Sequence, residues 1–576
     1  MRLTWSGTAL DRTSVNLGPL AVFLPLLEQM DVAAIIDRHL PPDPQLEYSH
    51  GQVLGMLLAA RLCQPLALVN VPGWAEESGA EFLWNIPAEK LNDDRLGRAL
   101  DAFFRERHSI LASVAAHVVS TFRLPLERLH YDTTHLLFCG AYENSQSFPE
   151  DLPLPPLTAS ADFPPAHITH GYITADAKMI HAGLFSVVDD LGAVPLFGNA
   201  LSGNINSHAA AAQQFPLLQE YVQPAPLLMV SDRGTYSTGH VVRLHQAGHH
   251  VLCSVPWHEF QPLFDQHRPR LVWKRARFLS VEQRRRRQTH STLPQEHYEL
   301  AVLRHQITNP ETATPIPARV LFVFSSADQK ICQEKRQRAV AKIQAGLERL
   351  GRTVARGHVR GTDPDSIHHR IAKLFSRRAV ARYFHWQLVP LTPEQQAVLP
   401  PRPGCRRPKY RLVFHYDAQA AQADAAYDGF SALLTTAPQT YSGDTLFSYF
   451  KQQCYVEQSH HQWKGPIAVR PLFLKSPQRV EALVGLLQIA LTAYHLLQRL
   501  YRQAVPVDAP NVEKRLTTES ILRAFRVCPL IKQDTRLGWV VHPVQLSRRQ
   551  RHILNRLRFP TPAQIICRRL ARYPPQ

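Results

Sequence analysis

The stretch LERLHYDTTHLLFCG (126–140) sets Asp132 inside an apolar, strand-like run. An ionised carboxylate in such a place needs a cation, a metal or a hydrogen-bonded network beside it, because burying it alone is costly. APLLMVSDRGTYS (225–237) repeats the arrangement, an apolar strand that runs straight into Asp232. A third acid, Glu457, lies in DTLFSYFKQQCYVEQSHHQWK (444–464). There Phe450, Gln453, Glu457, His460, His461 and Lys464 fall at helical spacing on one face. Oxygen-only donors of this kind suit hard divalent ions. Two such ions, about 3.5–4 Å apart, clamp the attacking and leaving oxygens of a phosphodiester. The chemistry predicted is metal-dependent phosphoryl transfer on Asp132, Asp232 and Glu457, with Lys464 as a phosphate contact. Read singly, each acid is more often a turn, salt-bridge or solvated-face residue. The set of three is what points to a site.

Such a site needs elements that bring distant acids together. Residues 17–120 carry apolar residues at spacings of three and four and predict a helical N-terminal unit, 1–120. Its role is open between reading DNA and serving as a structural cap or dimer contact. From 127 to 256 the pattern runs strand, hairpin, helix, strand, helix, strand, which predicts a mixed α/β sheet. The hairpin is MIHAGLFSVVDDLGAVPLFGNALSG (179–203), turning at Asp189-Asp190-Leu191-Gly192. FPEDLPLPPLTASADFPPAH (148–167) reads as an irregular loop. Residues 257–440 hold several strand-like pieces around one charged helix (329–352) and read as a β-rich insertion. The 444–464 helix, with Asp444 as its expected cap, and a long apolar helix at 478–500 return the chain to the core in 441–505. A basic C-terminal tail, 506–576, completes the division.

The formal net charge is +18, from 65 Lys and Arg against 47 Asp and Glu. Such an excess points to a polyanionic partner, most often nucleic acid. Arg284, Arg285, Arg286 and Arg287 form one basic run, and LSRRQRHILNRLRF with CRRLARY another. Both are expected to touch phosphate backbone, with solvated loop charge as the plain alternative. Trp463, beside Lys464, is a candidate for stacking on a base, against the commoner role of core packing. The 8 cysteines form no CxxC pair, and the 29 histidines form no HExxH, so zinc-ribbon, redox and metalloprotease readings are set aside. Scattered thiols suit a reducing cytoplasm. ALVGLLQIALTAYHLL (482–497) is short of the roughly 20 residues a membrane span needs and is expected to be a buried helix. No membrane segment or signal peptide is expected.

Taken together, HYDTTHL, HGYITADAKMIHAGL with PLFGNALSGN, MVSDRGTYS, and YVEQSHHQWKGPIAVRPLFLKSPQRVEALVGLLQIALTAY resemble the DDE transposases of insertion sequences. The resemblance is to the group with a long β-rich insertion between the second Asp and the Glu, and it spans about 127–500. GPLAVFLPLLEQMDVAAIIDRHLPPDPQLEYSHGQVLGMLLAARL is similar to the helical domain that precedes the core in one subgroup. The resemblance implies a ribonuclease-H-like fold and two Mg²⁺ or Mn²⁺ ions on Asp132, Asp232 and Glu457. It implies hydrolysis at transposon ends and transfer of the freed 3′-hydroxyl into target DNA. It also implies a dimer pairing two double-stranded ends, in a prokaryotic, nucleoid-associated cytoplasmic setting. Lys464, seven residues after Glu457, fits the pattern, as does the following Arg470-Pro471. The family's DNA-contacting Tyr and Arg are replaced here by Phe450 and Gln453, with Tyr449 adjacent. Two other readings stay open: a two-metal nuclease that cuts without joining, and a catalytically inactive protein that binds ends and represses.

Overall fold

The computed structural model describes residues 12–41, 44–138, 164–170, 178–205, 207–222, 226–279, 283, 296–357, 363–376, 378–398, 407–465, 467, 474–535, 538–543 and 545–572. The chain opens with β1 (Arg12–Asn16) and helices α1 (Leu20–Gln29), α2 (Val32–His39), α3 (His50–Cys63), α4 (Val71–Ser78), α5 (Ala80–Trp84) and α6 (Asp93–Phe122). Polar side chains start the longer of these. Ser49 and Gln52 form a reciprocal capping box on α3, and Asn92 accepts the Arg95 N–H at the start of α6.

A mixed α/β sheet follows. Its strands are β2 (Arg128–Phe138), β3 (Thr169–His170), β4 (Lys178–Asp189), β5 (Gly192–Ser202), β6 (Leu228–Ser231) and β7 (His250–Ser254). β4 and β5 are the expected hairpin: Leu191 N–H bonds to Asp189 Oδ1 at 2.9 Å, and Gly192 takes φ +128°, a conformation that favours glycine. β2 pairs antiparallel with β4 and parallel with β6, and β6 is parallel to β7. Helix α7 (Ser207–Val222) joins β5 to β6, and α8 (Thr238–Gln246) joins β6 to β7.

The 257–440 stretch departs from the β-rich expectation, because its described residues hold more helix than strand. It contributes α9 (Trp257–His267), α10 (Ser326–Ala355), α11 (Pro364–Phe375), α12 (Pro393–Val398) and α13 (Ala418–Ala425). Its strands are β8 (Lys274–Arg275), β9 (Tyr298–Thr308), β10 (Pro315–Ser325), β11 (Phe384–Pro390), β12 (Tyr410–Tyr416) and β13 (Phe430–Thr435). Most of them extend the central sheet, whose order is β4-β2-β6-β7-β13-β10-β9-β8, with β3 and β5 both on the outer edge of β4. Only β11 and β12 stand apart as a two-stranded ribbon, and with α10, α11 and α13 they share a small core of their own.

The predicted 444–464 helix is two helices, α14 (Gly443–Lys451) and α15 (Gln453–Lys464), parted at Gln452. Ser442, not Asp444, caps the first; Asp444 instead accepts the Arg277 N–H at 2.9 Å. Helix α16 (Pro477–Ala504) starts at a Ser476 cap and is buried for nearly its whole length. It is long and apolar enough to cross a membrane, and its apolar stretch lies wholly inside the protein. The chain ends with α17 (Asn511–Lys514), α18 (Thr518–Ala524), β14 (Pro529–Thr535), β15 (Gly538–Pro543), α19 (Arg548–Leu557) and α20 (Pro562–Arg572). β1 pairs with β14, which pairs with β15.

One hydrophobic core runs through the N-terminal helices, the sheet, α16 and the C-terminal helices. Polar contacts reinforce the joint between α6 and α16. Arg479 grips Asp101 with two bonds of 2.9 and 2.7 Å, and Arg107 Nε meets Glu481 Oε1 at 2.5 Å with both side chains about 5–6% exposed. The N-terminal helices are thus packed into the body of the molecule.

Candidate active site

The register of β2 against β6 builds the site. Tyr131 stands opposite Ser231 in this parallel pair, and the next residue along each strand is an aspartate. Adjacent strands lie about 4.8 Å apart, so Asp132 within β2 and Asp232 at the end of β6 stand side by side. β2 continues past this point against β4, whereas β6 ends and turns. Asp232 caps that turn: its Oδ1 accepts the Gly234 N–H at 2.9 Å. The Thr235 hydroxyl reaches Ser231 Oγ at 2.6 Å and holds the strand end closed. Asp132 Oδ1 accepts the Thr133 N–H at 2.8 Å.

Helix α15 supplies the third acid. Val456, Ser459, His460 and Trp463 recur at i, i+3, i+4 and i+7 and form its buried stripe. Gln453 fixes it to β2. His130 Nδ1 donates to Gln453 Oε1 at 2.7 Å, and Gln453 Nε2 donates to the Tyr131 carbonyl at 3.1 Å. Gln453 is 7% exposed and touches the two residues just before Asp132. One helical turn on comes Glu457, which is exposed. Two turns on, His460 is buried with its Nδ1 3.5 Å from Asp132 Oδ2. Burial, Lys464 and His135 hold the His460 imidazole down to about 3, so it is neutral near pH 7.

The electrostatics follow from this crowding. Asp132 is 17% exposed, and its pKa is raised to about 7. Burial is the main cause and the Asp232 charge the next; Glu457 adds to the rise, while the Thr133 N–H and Lys464 oppose it. Asp132 therefore feels two carboxylates that lie far from it in the chain, with Lys464 close enough to oppose them. Hard oxygen donors that repel each other fit a divalent cation in type and charge. Among the described residues no three His, Cys, Asp or Glu side chains converge on a single point as a finished cage. Asp132 and Asp232 are the adjacent pair, and Glu457 stands off on the exposed side of α15.

Other expectations fare differently. Trp463 is 1% exposed and belongs to the main core, so no base can stack on it. The reason is helical phase: it lies on the sheet-facing stripe, while Lys464 lies at its edge. His461 is exposed, and Phe450 belongs to α14 rather than to the Glu457 face. Arg284, Arg285, Arg286 and Arg287, and Arg470-Pro471, lie outside the described residues. Sequence reading missed the Gln453 tie. The signal was available in part: Gln453 precedes Glu457 by one helical turn and falls in phase with the buried stripe. Arg128 is a second such tie, with its guanidinium 3.7 Å over the Tyr449 ring and a 2.8 Å bond to Gln452.

Comparison with known proteins adds little to this geometry. Residues 13–116 match a family model described as a domain of unknown function, DUF4277. No curated protein matches the chain. Among solved structures it is similar to the piggyBac transposase in a synaptic complex with hairpin DNA, at 9% identity and a TM-score of 0.30, covering 90% of this chain and 83% of that one. A likeness that loose carries no argument about chemistry.

Proposed function

We propose that this protein is a DNA transposase of the insertion-sequence DDE type, built on a ribonuclease-H-like core. The observation that carries the reading is the β2–β6 register, with Asp132 and Asp232 following the facing pair Tyr131 and Ser231 and Glu457 held near them by Gln453. The antiparallel β5-β4-β2 run followed by parallel β6 and β7 supports the fold reading. The net charge of +18 supports a DNA partner.

Asp132, Asp232 and Glu457 would hold divalent ions of the Mg²⁺ or Mn²⁺ class, which when bound supply charge neutralisation at phosphorus and an activated oxygen. The chain's own groups do the rest. Asp132 must be ionised to serve, and its raised pKa makes it dependent on a cation at neutral pH. The His460 imidazole packs beside its Oδ2 and limits where the carboxylate can swing. Lys464, at the end of α15, offers a fixed positive charge to a phosphate. In-line attack by water and then by a DNA 3′-hydroxyl needs no covalent enzyme intermediate.

The test is a labelled duplex carrying the element's own ends, incubated with Mg²⁺. The full chain is expected to nick and then join. Asp132→Ala, Asp232→Ala and Glu457→Ala are each expected to lower cleavage by about a thousandfold or more, several kcal/mol of transition-state stabilisation, with end binding nearly intact. Cutting without joining would identify a nuclease, and binding without cutting would identify a repressor. Full cleavage by any one of the variants removes that residue from the mechanism.

A further inference from the structure

The 28 residues from Gln545 to Arg572 contain eight arginines and no Lys, Asp or Glu. They are not a loose tail. Ile553, Leu554 and Leu557 of α19 and Ile565 and Ile566 of α20 are all buried in the main core. The apolar side of both helices is thus spent on packing, which leaves a set of their described arginines outward on a fixed base. Arg548, Arg549, Arg551, Arg558 and Arg568 are exposed. The nearby acid, Glu513, is already engaged, with His552 at 3.7 Å and Arg556 at 3.9 Å. Among the described residues no ion pair reaches Arg548, Arg549 or Arg551. Arg548 and Arg551 wall a hollow of about 490 Å³ whose other polar lining is Gln545, Ser547 and Gln550, with no acid. The end of α19 itself is satisfied by Ser547 and Gln550, which bond each other's backbone N–H, so the arginines are the attraction there.

We infer that α19 and its flanking turn form a docking face for the phosphate backbone of duplex DNA. Guanidinium forks match phosphate oxygens two at a time, and an all-arginine set is suited to that contact. A lipid surface fits less well, because an interfacial helix needs a free apolar face and this one is buried. The choice of DNA over another polyanion rests on the proposed transposase reading; the face itself is separate from the carboxylates. Its contribution is affinity and orientation, not sequence reading.

The test measures binding of the full chain to a mixed-sequence duplex, lacking any end sequence and without divalent ions, across a salt series. The triple variant Arg548→Gln, Arg549→Gln, Arg551→Gln is expected to flatten the log–log salt slope by about two to three, since each neutralised phosphate contributes roughly 0.9. The triple lysine variant is expected to keep the slope near that of the parent. An unchanged slope in the glutamine variant overturns the inference. So does a lysine variant that flattens equally, which would mean that packing and not charge was lost. A parent chain that binds anionic phosphatidylserine vesicles but not the duplex also overturns it. A flattened slope in a chain whose parent never cuts end DNA supports this face and sinks the catalytic reading, so the two failures are told apart.

Discussion

Glu481 and Asp132 are both carboxylates held inside the protein, and their surroundings are opposite. Glu481 lies against Arg107 at 2.5 Å and accepts the Ala166 N–H at 2.6 Å. Burial pushes its pKa up, and those two partners pull the other way. Asp132 is partly buried, with 17% of its side chain exposed, yet its strongest charged neighbours are further carboxylates, and the imidazole beside it is neutral. The first arrangement is complete and joins two helices. The second is self-repelling, with Lys464 as its one opposing charge.

That contrast can be broken from the paired side first. Arg107→Met alone is expected to destabilise the fold by about 3–5 kcal/mol, because Glu481 is left buried without its partner. Adding Glu481→Leu should recover most of the loss; chemical denaturation of the three chains checks both. A single variant within about 1 kcal/mol of the parent would show that the pair matters little.

From the other side, Asp132→Asn is expected to stabilise the protein when no divalent ion is present. The folded pKa of about 7 lies above the ordinary 3.8, so the protonated form favours folding, and that contribution fades as pH rises from about 4 through 7. Above pH 7 the full penalty of the charge is present, and removing it should gain about 2–4 kcal/mol at pH 8 and close to nothing at pH 4. Melting curves at the two pH values read this directly. Added Mg²⁺ should narrow the gap at pH 8 by stabilising only the aspartate form.

The smallest effect tests the link between helix and strand. Gln453→Ala is expected to cost about 1–3 kcal/mol, since His130 Nδ1 and the Tyr131 carbonyl both lose a partner in a buried place. Cleavage should fall as Glu457 loses its fixed distance from Asp132, with DNA binding unchanged. A variant that cuts as fast as the parent would show that α15 is held by apolar packing alone.

Much of this was legible in the chain. An acid set in an apolar strand at Asp132, another at the end of one at Asp232, the 179–203 hairpin and the apolar helix expected at 478–500 each declare themselves locally. What stayed hidden was non-local. The pairing of β2 with β6 joins segments about a hundred residues apart, and periodicity carries no register between strands. The spacing over 444–464 predicts one continuous helical face, but the break at Gln452 resets the phase, which is why Phe450 parts from Glu457. Gln453 sat at a position whose expected partner was DNA, and only packing shows that it faces the sheet. The Arg107–Glu481 contact spans 374 residues, beyond any local pattern.

The pairing of β1 with β14 has a further consequence, for how the molecule is made. The Asn16 side chain bonds to the Arg526 carbonyl across 510 positions. At about 5–20 residues per second, a ribosome takes roughly half a minute to nearly two minutes to deliver that partner. Until then the first strand waits, and Glu457 has only lately emerged. A half-synthesised chain therefore carries Asp132 and Asp232 without Glu457, so any step that needs all three acids waits until the ribosome has passed α15.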